Sequence, residues 1–295
     1  MIQRKKKTGK LMRMLLTLAA VWMLMGCMAA FAQESDGQLP NGKSVYNLLL
    51  IGSDHRDTSW NGNSDVMMVM TINQDSNKIF LTSFMRDLYA NIPGYGVHKL
   101  NYAYAVGGAS VLMDTLEDNY DLTIDNYAVV DFETMADIVD IIGGVEMEVS
   151  DAEVDVLNGY LVSMDAEDSK LPCGGTYILN GKQAVAYMRI RYVGNADYQR
   201  TQRQRDVLAK IFESMKGLDA TELTKLANKI LPCVEHDIDA LEMIKLMALL
   251  PQLTGYELEE SRIPYDDLYH SEGEMLVPDF DATISRLHET LYGAQ

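Results

Sequence analysis

Cysteine, glycine and proline are scarce in this sequence, and each shortage excludes a class of protein. The three cysteines among 295 residues, Cys27, Cys173 and Cys233, have a spacing that matches no zinc-binding motif. Glycine, with 21 residues, and proline, with 7, are too few for a collagen-like or low-complexity chain. Hydrophobic residues make up 47% of the chain and charged residues 23%, which is typical of a globular protein with a sizeable core.

Basic residues are scarce outside the amino terminus. Six of the 25 Lys and Arg residues fall within residues 1–32, which contain no Asp or Glu. The remaining 19 basic residues face all 43 acidic residues, so the rest of the chain has a formal charge of −24. Proteins bind nucleic acid largely through Lys and Arg side chains that neutralise phosphates. The charge balance therefore excludes nucleic acid as a partner bound through net charge.

The amino terminus has the pattern of an export signal. Residues 1–13 form a short basic tail, residues 14–32 are almost wholly apolar, and residues 33–43 read as a polar linker. The positive-inside rule predicts that the tail stays in the cytoplasm and that the chain beyond the linker is extracytoplasmic. Three fates of segment 14–32 remain open: a single-pass anchor in the cell membrane, cleavage after Ala32, or a lipoprotein modified at Cys27.

Export would place Cys173 and Cys233 in an oxidising or at least non-reducing space. Both cysteines follow a Leu-Pro pair near predicted loops. A disulfide between them and two unpaired cysteines are both compatible with the sequence.

Hydrophobic patterning predicts one α/β domain over residues 44–295. Apolar strand-like runs occur at 46–51, 66–72 and 78–84, and the polar residues between the last two predict a hairpin. The remaining predicted elements are a strand at 145–149 and helices at 109–117, 131–142, 201–216, 220–231, 240–250 and 281–291.

The distribution of arginines predicts one anion-binding site. Seven of the nine arginines beyond residue 33 fall in three short stretches: Arg56, Arg86, Arg189, Arg191, Arg200, Arg203 and Arg205. Arginine presents a fixed fork of donors that matches phosphate oxygens. A solvated basic helix face is the alternative. Arg189 and Arg191 alternate as on a strand edge, which would point both guanidinium groups to one side.

The helix predicted from residue 201 adds to this site at its amino end. Arg200 and Gln204 are four residues apart and share a face where free N–H groups and the helix dipole favour an anion. Arg203 and Arg205 point elsewhere, and we expect at least one of them to form a surface salt bridge.

Two acidic residues flank the loop between the first two predicted strands. Asp54 ends the first strand, and Asp65 opens the next. If the loop brings both carboxylates together, they suit a Mg²⁺ ion whose other positions are filled by phosphate oxygens and water. Turn-forming caps at strand ends are the alternative reading of both residues.

A series of short motifs resembles the LytR-CpsA-Psr family of cell-envelope proteins. The resemblance covers roughly residues 45–216, in family order and with family-like gaps. The motifs lie at residues 47–56, 64–68, 85–89, 92–96, 99–104, 107–108, 131–132, 143–145, 189–191 and 197–205. This chain departs from the family pattern at 195–199, where glycine usually precedes the aspartate and Phe-Gly usually follows it.

The resemblance implies a Mg²⁺-dependent extracytoplasmic phosphotransferase. Such an enzyme moves a glycopolymer, of the teichoic acid or capsular polysaccharide type, from an undecaprenyl diphosphate carrier onto peptidoglycan. The implied fold is α/β, with a central mixed β-sheet flanked by helices and one amino-terminal membrane segment. A polyprenyl diphosphate hydrolase and a non-catalytic envelope regulator that binds the lipid carrier remain as alternatives.

Position by position, the resemblance assigns three sets of residues. The metal ligands are Asp54 and Asp65. The catalytic set is Arg56, Arg86 and Asp87, with Asp87 and Asp54 as candidates for the general base. The diphosphate-binding set is Arg86, Lys99, Arg189, Arg191, Arg200, Arg203 and Gln204. An apolar slot for the lipid is expected among residues such as Met67, Met68, Met70, Leu208 and Phe212, for which core packing is the alternative.

Overall fold

The computed structural model describes residues 37–53, 64–191, 193 and 196–293. The predicted anchor at 14–32 and the predicted site residues Asp54 and Arg56 lie outside these ranges. Within them, every helix is too short or too polar to cross a membrane.

A six-stranded mixed sheet forms the centre of the structure. Its strands are β1 (Val45–Ser53), β2 (Ser64–Asn73), β3 (Lys78–Phe84), β6 (Asn126–Asp131), β9 (Glu235–His236) and β10 (Glu257–Ile263). They are arranged in the order β10-β3-β2-β1-β6-β9. β1, β3, β6 and β10 run in one direction, and β2 and β9 run in the other. The predicted mixed sheet is therefore confirmed.

The predicted hairpin joins β2 to β3. The two strands pair antiparallel up to Asn73 and Lys78, which face each other across the turn. In that turn Asn77 has a φ of 54°, a conformation that asparagine tolerates better than most residues. The Ser76 N–H donates to the Asn73 side chain and closes the turn.

Three two-stranded ribbons, eight α-helices and two short 3-10 helices, Glu167–Ser169 and Leu231–Cys233, complete the described part of the chain. The ribbons are β4 (Tyr89–Ile92) with β5 (Gly96–Lys99), β7 (Val145–Val149) with β8 (Gly175–Leu179), and β11 (Tyr269–Glu272) with β12 (Met275–Pro278). The helices are α1 (Asn101–Tyr120), α2 (Phe132–Ile142), α3 (Asp151–Ser163), α4 (Gly181–Met188), α5 (Ala196–Met215), α6 (Ala220–Ile230), α7 (Ala240–Leu253) and α8 (Phe280–Tyr292).

Helices cover both faces of the main sheet, because successive side chains of a strand point to opposite faces. Leu49 and Val69 point to the face that α1 and α8 cover. Leu48 and Met70 point to the opposite face, where they pack with α5 and α7. A further apolar core lies between the β7–β8 ribbon, α2, α3, α4 and the side of α5 that carries Val207.

Each strand and helix predicted from hydrophobic patterning corresponds to an element of the same type, but most bounds differ, and the structure has eight strands and two α-helices that were not predicted. The strands predicted at 78–84 and 145–149 coincide with β3 and β7. The helix predicted at 109–117 is the second half of α1, whose regular geometry is interrupted at Gly108 (φ 66°, ψ −155°). Helices α3 and α4 are additional. Cys173 and Cys233 are both exposed and unpaired.

Candidate active site

The candidate site lies at the edge of the main sheet where β1 and β3 end and β2 begins. Because β2 runs antiparallel between these two parallel strands, its first residues meet their last residues at one edge. Ser53 pairs with Ser64 of β2 on one side and with Asp131 of β6 on the other. Asp65 directly follows Ser64, and this order brings the carboxylate of Asp65 to the strand-end edge.

Three arginines from different segments surround two carboxylates at this edge, and we call these five residues the arginine cluster. Arg86 follows β3, Arg191 follows α4, and Arg200 lies in the second turn of α5. Arg86 Nη1 lies 3.4 Å from Asp65 Oδ1, and Arg86 Nη2 lies 3.4 Å from Asp197 Oδ2. Arg191 and Arg200 contact the same two carboxylates at 3.4–3.7 Å. The structure thus brings together three predicted diphosphate-binding arginines and one predicted metal ligand.

The contacts within the arginine cluster are loose. Its three guanidinium groups lie 3.4–3.7 Å from the two carboxylates. Tight charge-assisted hydrogen bonds are shorter, about 2.7–2.9 Å. Arg200 is 3% exposed, and neither its Nε nor Asp197 Oδ1 makes a hydrogen bond within the described residues. Donors therefore remain for an anion with several oxygen atoms, such as a phosphate.

Asp87 connects the arginine cluster to Lys99, the last residue of β5. Asp87 Oδ2 accepts a hydrogen bond from Arg86 Nε at 3.3 Å, and Asp87 Oδ1 lies 3.0 Å from Lys99 Nζ. The hydrogen bond to Asp87 raises the pKa of Lys99, although burial opposes the shift. The predicted residues Arg86, Asp87 and Lys99 therefore form one line of contacts that brings a fourth cation to this edge.

Arg203 and Gln204 are buried on α5 next to Arg200 in sequence. Gln204 follows Arg200 by one helical turn and shares its face. Arg203 makes a separate set of contacts: its Nε donates to Glu153 at 2.8 Å, and its Nη1 and Nη2 donate to the carbonyls of Ile190 and Val193 at 3.2 and 3.5 Å. These carbonyls flank residue 191. Arg203 therefore holds the segment that presents an arginine of the cluster.

The expected surface salt bridge at Arg203 or Arg205 is wrong, because both arginines are buried. Arg205 lies 3.3 Å from Glu260 of β10 and donates to Ser83 Oγ of β3 at 2.9 Å. Burial lowers the pKa of Arg205, and the charge of Glu260 opposes this shift. The helix α5 packs against both the main sheet and α3, so its surface is buried at Arg203 and at Arg205.

The expected strand at Arg189 and Arg191 is also wrong. Residues 181–188 form α4, which begins at a capping box between Asn180 and Gln183, and Arg189 caps its carboxyl end. The two arginines consequently have different surroundings. The Cζ atom of Arg189 lies 4.9 Å from the ring centre of Phe132 and 4.8 Å from that of Tyr160.

An apolar cavity of about 240 Å³ lies on the α5–α7 side of the main sheet. Its wall is formed by β1, β2, the end of α5, α6, α7 and the turn between the last two helices. The lining residues are Tyr46, Leu48, Met70, Ile72, Met215, Leu223, Leu226, Ala227, Ile230, Leu231, Ile238, Met243, Leu246, Met247, Leu250 and Leu253.

Only two of the five predicted lipid-slot residues lie at or next to the cavity. Met70 lines the cavity, and Phe212 packs in the apolar cluster that surrounds it. Met67 lies in the core on the opposite face of the sheet, and Met68 is fully buried. Leu208 is half-buried and is not part of the cavity wall.

Helix α5 connects the arginine cluster to the cavity. Arg200 contacts both carboxylates of the cluster near the amino end of the helix, and Met215 lines the cavity at its carboxyl end. At a rise of about 1.5 Å per residue, their separation of fifteen positions along the helix spans about 22 Å. The charged and apolar sites therefore lie along one rigid element.

Comparison with known proteins identifies the family. The family model described as the LytR_cpsA_psr family matches residues 28–288. The chain belongs to the LytR-CpsA-Psr family. Biofilm regulatory protein A of Streptococcus mutans is 31% identical over 228 residues, which are 72% of this chain and 53% of that protein. The polyisoprenyl-teichoic acid–peptidoglycan teichoic acid transferase TagU of Enterococcus faecalis is 35% identical over 184 residues, 61% of this chain and 57% of that protein. This chain thus spans little more than half the length of these two relatives.

Solved structures of LytR-CpsA-Psr proteins share the fold. The crystal structure of Bacillus subtilis TagT has a TM-score of 0.67 and 24% identity, and the match covers 86% of this chain and 94% of that one. A structure described as YwtF (TagT) with bound octaprenyl pyrophosphate lipid has a TM-score of 0.64, with 24% identity over 86% of this chain and 93% of that one.

The residues that fit a Mg²⁺ ion at this site are carboxylates of the strand-end edge. The described residues contain no group of three or more His, Cys, Asp or Glu side chains that could hold a metal ion. Asp65 supplies one carboxylate, and Asp54, the second predicted ligand, lies outside the described ranges. Mg²⁺ is commonly held by one or two carboxylates together with substrate phosphates and water. The donor set at Asp65 fits that chemistry, and Mg²⁺ stays a prediction.

Three residues of the site are additional to those predicted. Asp197 shares all three arginines of the cluster with Asp65. Its position three residues before Arg200 on a helix was the available signal, because such residues face each other. Phe132 and Tyr160 contact Arg189 from two separate helices, and no sequence spacing relates them.

Proposed function

We propose that this chain transfers a glycopolymer of the teichoic acid or capsular polysaccharide type from a polyprenyl diphosphate carrier to peptidoglycan. The observation that supports this most is the pairing of the arginine cluster with a wholly apolar cavity along α5. A polyprenyl diphosphate has the same two parts, an anionic head and a long apolar tail. Each buried methylene of the tail contributes about 0.8 kcal/mol to binding.

The names of some relatives support the transferase. TagU of Enterococcus faecalis carries the name of a teichoic acid transferase, and the TagT fold has been solved with octaprenyl pyrophosphate. Other relatives carry regulatory names, such as MsrR of Staphylococcus aureus, which is 34% identical over 184 residues. The three guanidinium groups of the arginine cluster favour a reacting diphosphate, since fixed cations stabilise the charge that develops during phosphoryl transfer.

In the proposed reaction a sugar hydroxyl of peptidoglycan attacks the phosphorus that carries the glycopolymer. A new P–O bond forms to this hydroxyl, the bridging P–O bond of the diphosphate breaks, and the lipid monophosphate leaves with the electron pair. Arg86, Arg191 and Arg200 hold the diphosphate oxygens in line for this displacement. The hydroxyl proton passes to Asp87 or Asp54. Asp54 and Asp65 would hold a Mg²⁺ ion, which would supply additional neutralisation of the diphosphate charge.

The proposed location follows from the amino-terminal pattern. Residues 14–32 anchor the chain in the cell membrane as a single span, and the sheet and helices lie on the extracytoplasmic side, where peptidoglycan is found. A lipoprotein attached through Cys27 is the alternative form of the same arrangement.

Product analysis by mass spectrometry tests the proposal. The full chain in detergent is incubated with a synthetic polyprenyl diphosphate-linked sugar, Mg²⁺ and peptidoglycan oligomers. We expect a phosphosugar linked to the acceptor with the unaltered chain and with Arg286→Ala, and none with Arg191→Ala or Asp65→Ala. Arg286 is the matched control because it is 51% exposed and pairs with Asp267.

Each other outcome would contradict a stated part of the proposed function. Free sugar phosphate formed without any acceptor would indicate a diphosphate hydrolase. Lipid binding without any product would indicate a carrier-binding regulator. Unchanged activity in the Asp65 variant, or in the presence of a chelator, would contradict the metal part of the proposal alone.

A further inference from the structure

Arg189 is held differently from the arginines of the cluster. Its Cζ atom lies 4.9 Å from the ring centre of Phe132 and 4.8 Å from the ring centre of Tyr160. Within the described part of the chain its guanidinium group has no ion pair and donates no hydrogen bond. The cluster arginines, in contrast, each contact Asp65 and Asp197.

One of the two rings comes from an element that begins at the strand-end edge. Phe132 is the first residue of α2 and directly follows Asp131, which pairs with Ser53 at the end of β1. Neighbouring strands are about 4.8 Å apart, so the backbone of Phe132 lies about one strand spacing from the end of β1. Tyr160 lies in the last turn of α3. The guanidinium group of Arg189 is therefore at the β6 side of the same edge that the cluster occupies at the β2 side.

Stacking between rings leaves an arginine available to an anion. A cation over an aromatic face is attracted by the electron density of the ring, and this attraction does not use the N–H donors, which lie in the guanidinium plane. Neutral rings also leave the positive charge uncancelled, whereas a carboxylate would neutralise it. Phe132 and Tyr160 therefore fix the position of Arg189 without consuming its charge or its donors.

We propose that Phe132 and Tyr160 are positioning residues that hold Arg189 ready to bind a phosphate group of the carrier diphosphate. This inference rests on the proposed function and deepens it. The arginine cluster binds the diphosphate from the β2 side of the edge, and the ring-held Arg189 binds it from the β6 side. In this arrangement both rings act through Arg189.

Binding of a short probe separates this role from a purely structural one. The full chain in detergent is titrated with farnesyl diphosphate by calorimetry, and Tm is recorded for every variant. We expect Arg189→Ala to raise Kd about tenfold or more, and Phe132→Leu and Tyr160→Leu to raise it about three- to tenfold, in line with the strength of a cation–π contact. Tyr160→Phe retains the ring and is expected to keep Kd within about twofold.

The double variant Arg189→Ala with Tyr160→Leu tests whether the ring acts through the arginine. If it does, the double variant binds as Arg189→Ala does, because the ring has nothing left to position. If the increases in Kd of the two single variants multiply in the double variant, Tyr160 acts independently of Arg189 and the proposal is overturned. Arg286→Ala is the matched control, since this guanidinium lies 4.2 Å from the ring centre of Tyr265 and belongs to neither group of site arginines.

The same titrations distinguish failure of this inference from failure of the proposed function. An unaltered chain that does not bind the probe would overturn both. An unaltered chain that binds it, together with Leu variants whose Kd values are unchanged, would overturn the positioning role alone. A fall in Tm with no change in Kd would assign the two rings to core packing and would equally overturn it.

Discussion

Arg200 and Arg203 lie three residues apart on α5 and are both buried, yet their contacts have opposite character. Arg203 donates to Glu153 at 2.8 Å and to two backbone carbonyls. Arg200 lies 3.5–3.7 Å from two carboxylates that other arginines share, and its Nη2 donates to the carbonyl of Asp65 at 3.4 Å. Its Nε has no partner within the described ranges. From this difference we expect the length and sharing of side-chain ion pairs, rather than burial, to distinguish an arginine that maintains the fold from one that is available to a ligand.

Removing the partner of Arg203 is expected to have the largest effect, and the effect is on stability. Glu153→Ala leaves a buried guanidinium without its carboxylate, and breaking a buried ion pair in this way costs about 3–5 kcal/mol. We expect a lower urea midpoint and a lower Tm, followed by circular dichroism. Asp155→Ala, at an exposed position on the same helix, is the control and should change the free energy of unfolding by less than about 0.5 kcal/mol. Equal losses of unfolding free energy in Glu153→Ala and Asp155→Ala would show that the ion pair of Arg203 does not stabilise the fold.

Removing Arg200 itself should affect activity more than stability. Loss of one preorganised donor at a developing charge lowers the rate about 10²–10³-fold, or about 2.7–4 kcal/mol. We expect a loss of this size in kcat/KM for Arg200→Ala, with a smaller fall in Tm than Glu153→Ala produces. If Arg200→Ala is inactive only because it has unfolded, the contrast between the two arginines fails.

A lysine at position 203 sharpens the comparison. Arg203→Lys keeps the charge next to Glu153, but one ammonium group cannot also reach both carbonyls that flank Arg191. We expect a loss of about 1–2 kcal/mol in stability, typical of unsatisfied buried groups, and a several-fold fall in kcat/KM through displacement of Arg191. The measurement pairs urea unfolding with steady-state kinetics. A variant with unchanged kinetics would show that Arg203 does not position the site.

The smallest expected effect is a pH dependence of stability at Glu153. Burial opposes the shift, but hydrogen bonds from Ser150 and the pairing with Arg203 hold the pKa of Glu153 below its ordinary value of 4.5. A carboxyl whose pKa is lower in the folded state stabilises the fold above its unfolded pKa, and this contribution disappears as pH falls through the folded pKa.

Thermal unfolding of the unaltered chain and of Glu153→Gln between about pH 3 and pH 7 measures this contribution. We expect the difference in Tm between the two proteins to be largest near neutral pH and to shrink below pH 4.5. A difference that is constant with pH would mean that the charge of Glu153 contributes nothing to folding.

Much of the sheet and part of the site follow from local sequence signals. The strand at 78–84 is an apolar run next to a strong turn signal, and β3 has these bounds. The convergence of Arg86, Arg191 and Arg200 was indicated by the uneven distribution of arginine and by the family motifs. Both kinds of signal depend on neighbours in sequence or on patterns that the family shares.

The errors concern contacts between residues that are far apart in sequence. Glu153 is fifty residues from Arg203, and Glu260 is fifty-five residues from Arg205, so the two buried ion pairs have no local signature. The strand predicted at Arg189 rested on an alternation of only three residues. So short a pattern cannot outweigh the capping box that begins α4 at Asn180.

The helical periodicity of α5 also limits which insertions and deletions this chain tolerates in evolution. Arg200 and Met215 belong to one uninterrupted helix, so an inserted residue between them rotates the cavity-facing side by about 100° relative to the arginine cluster. Seven inserted residues, about two turns, restore the direction but lengthen the separation by about 10 Å. Insertions and deletions that preserve both sites therefore belong in the loops that flank this helix.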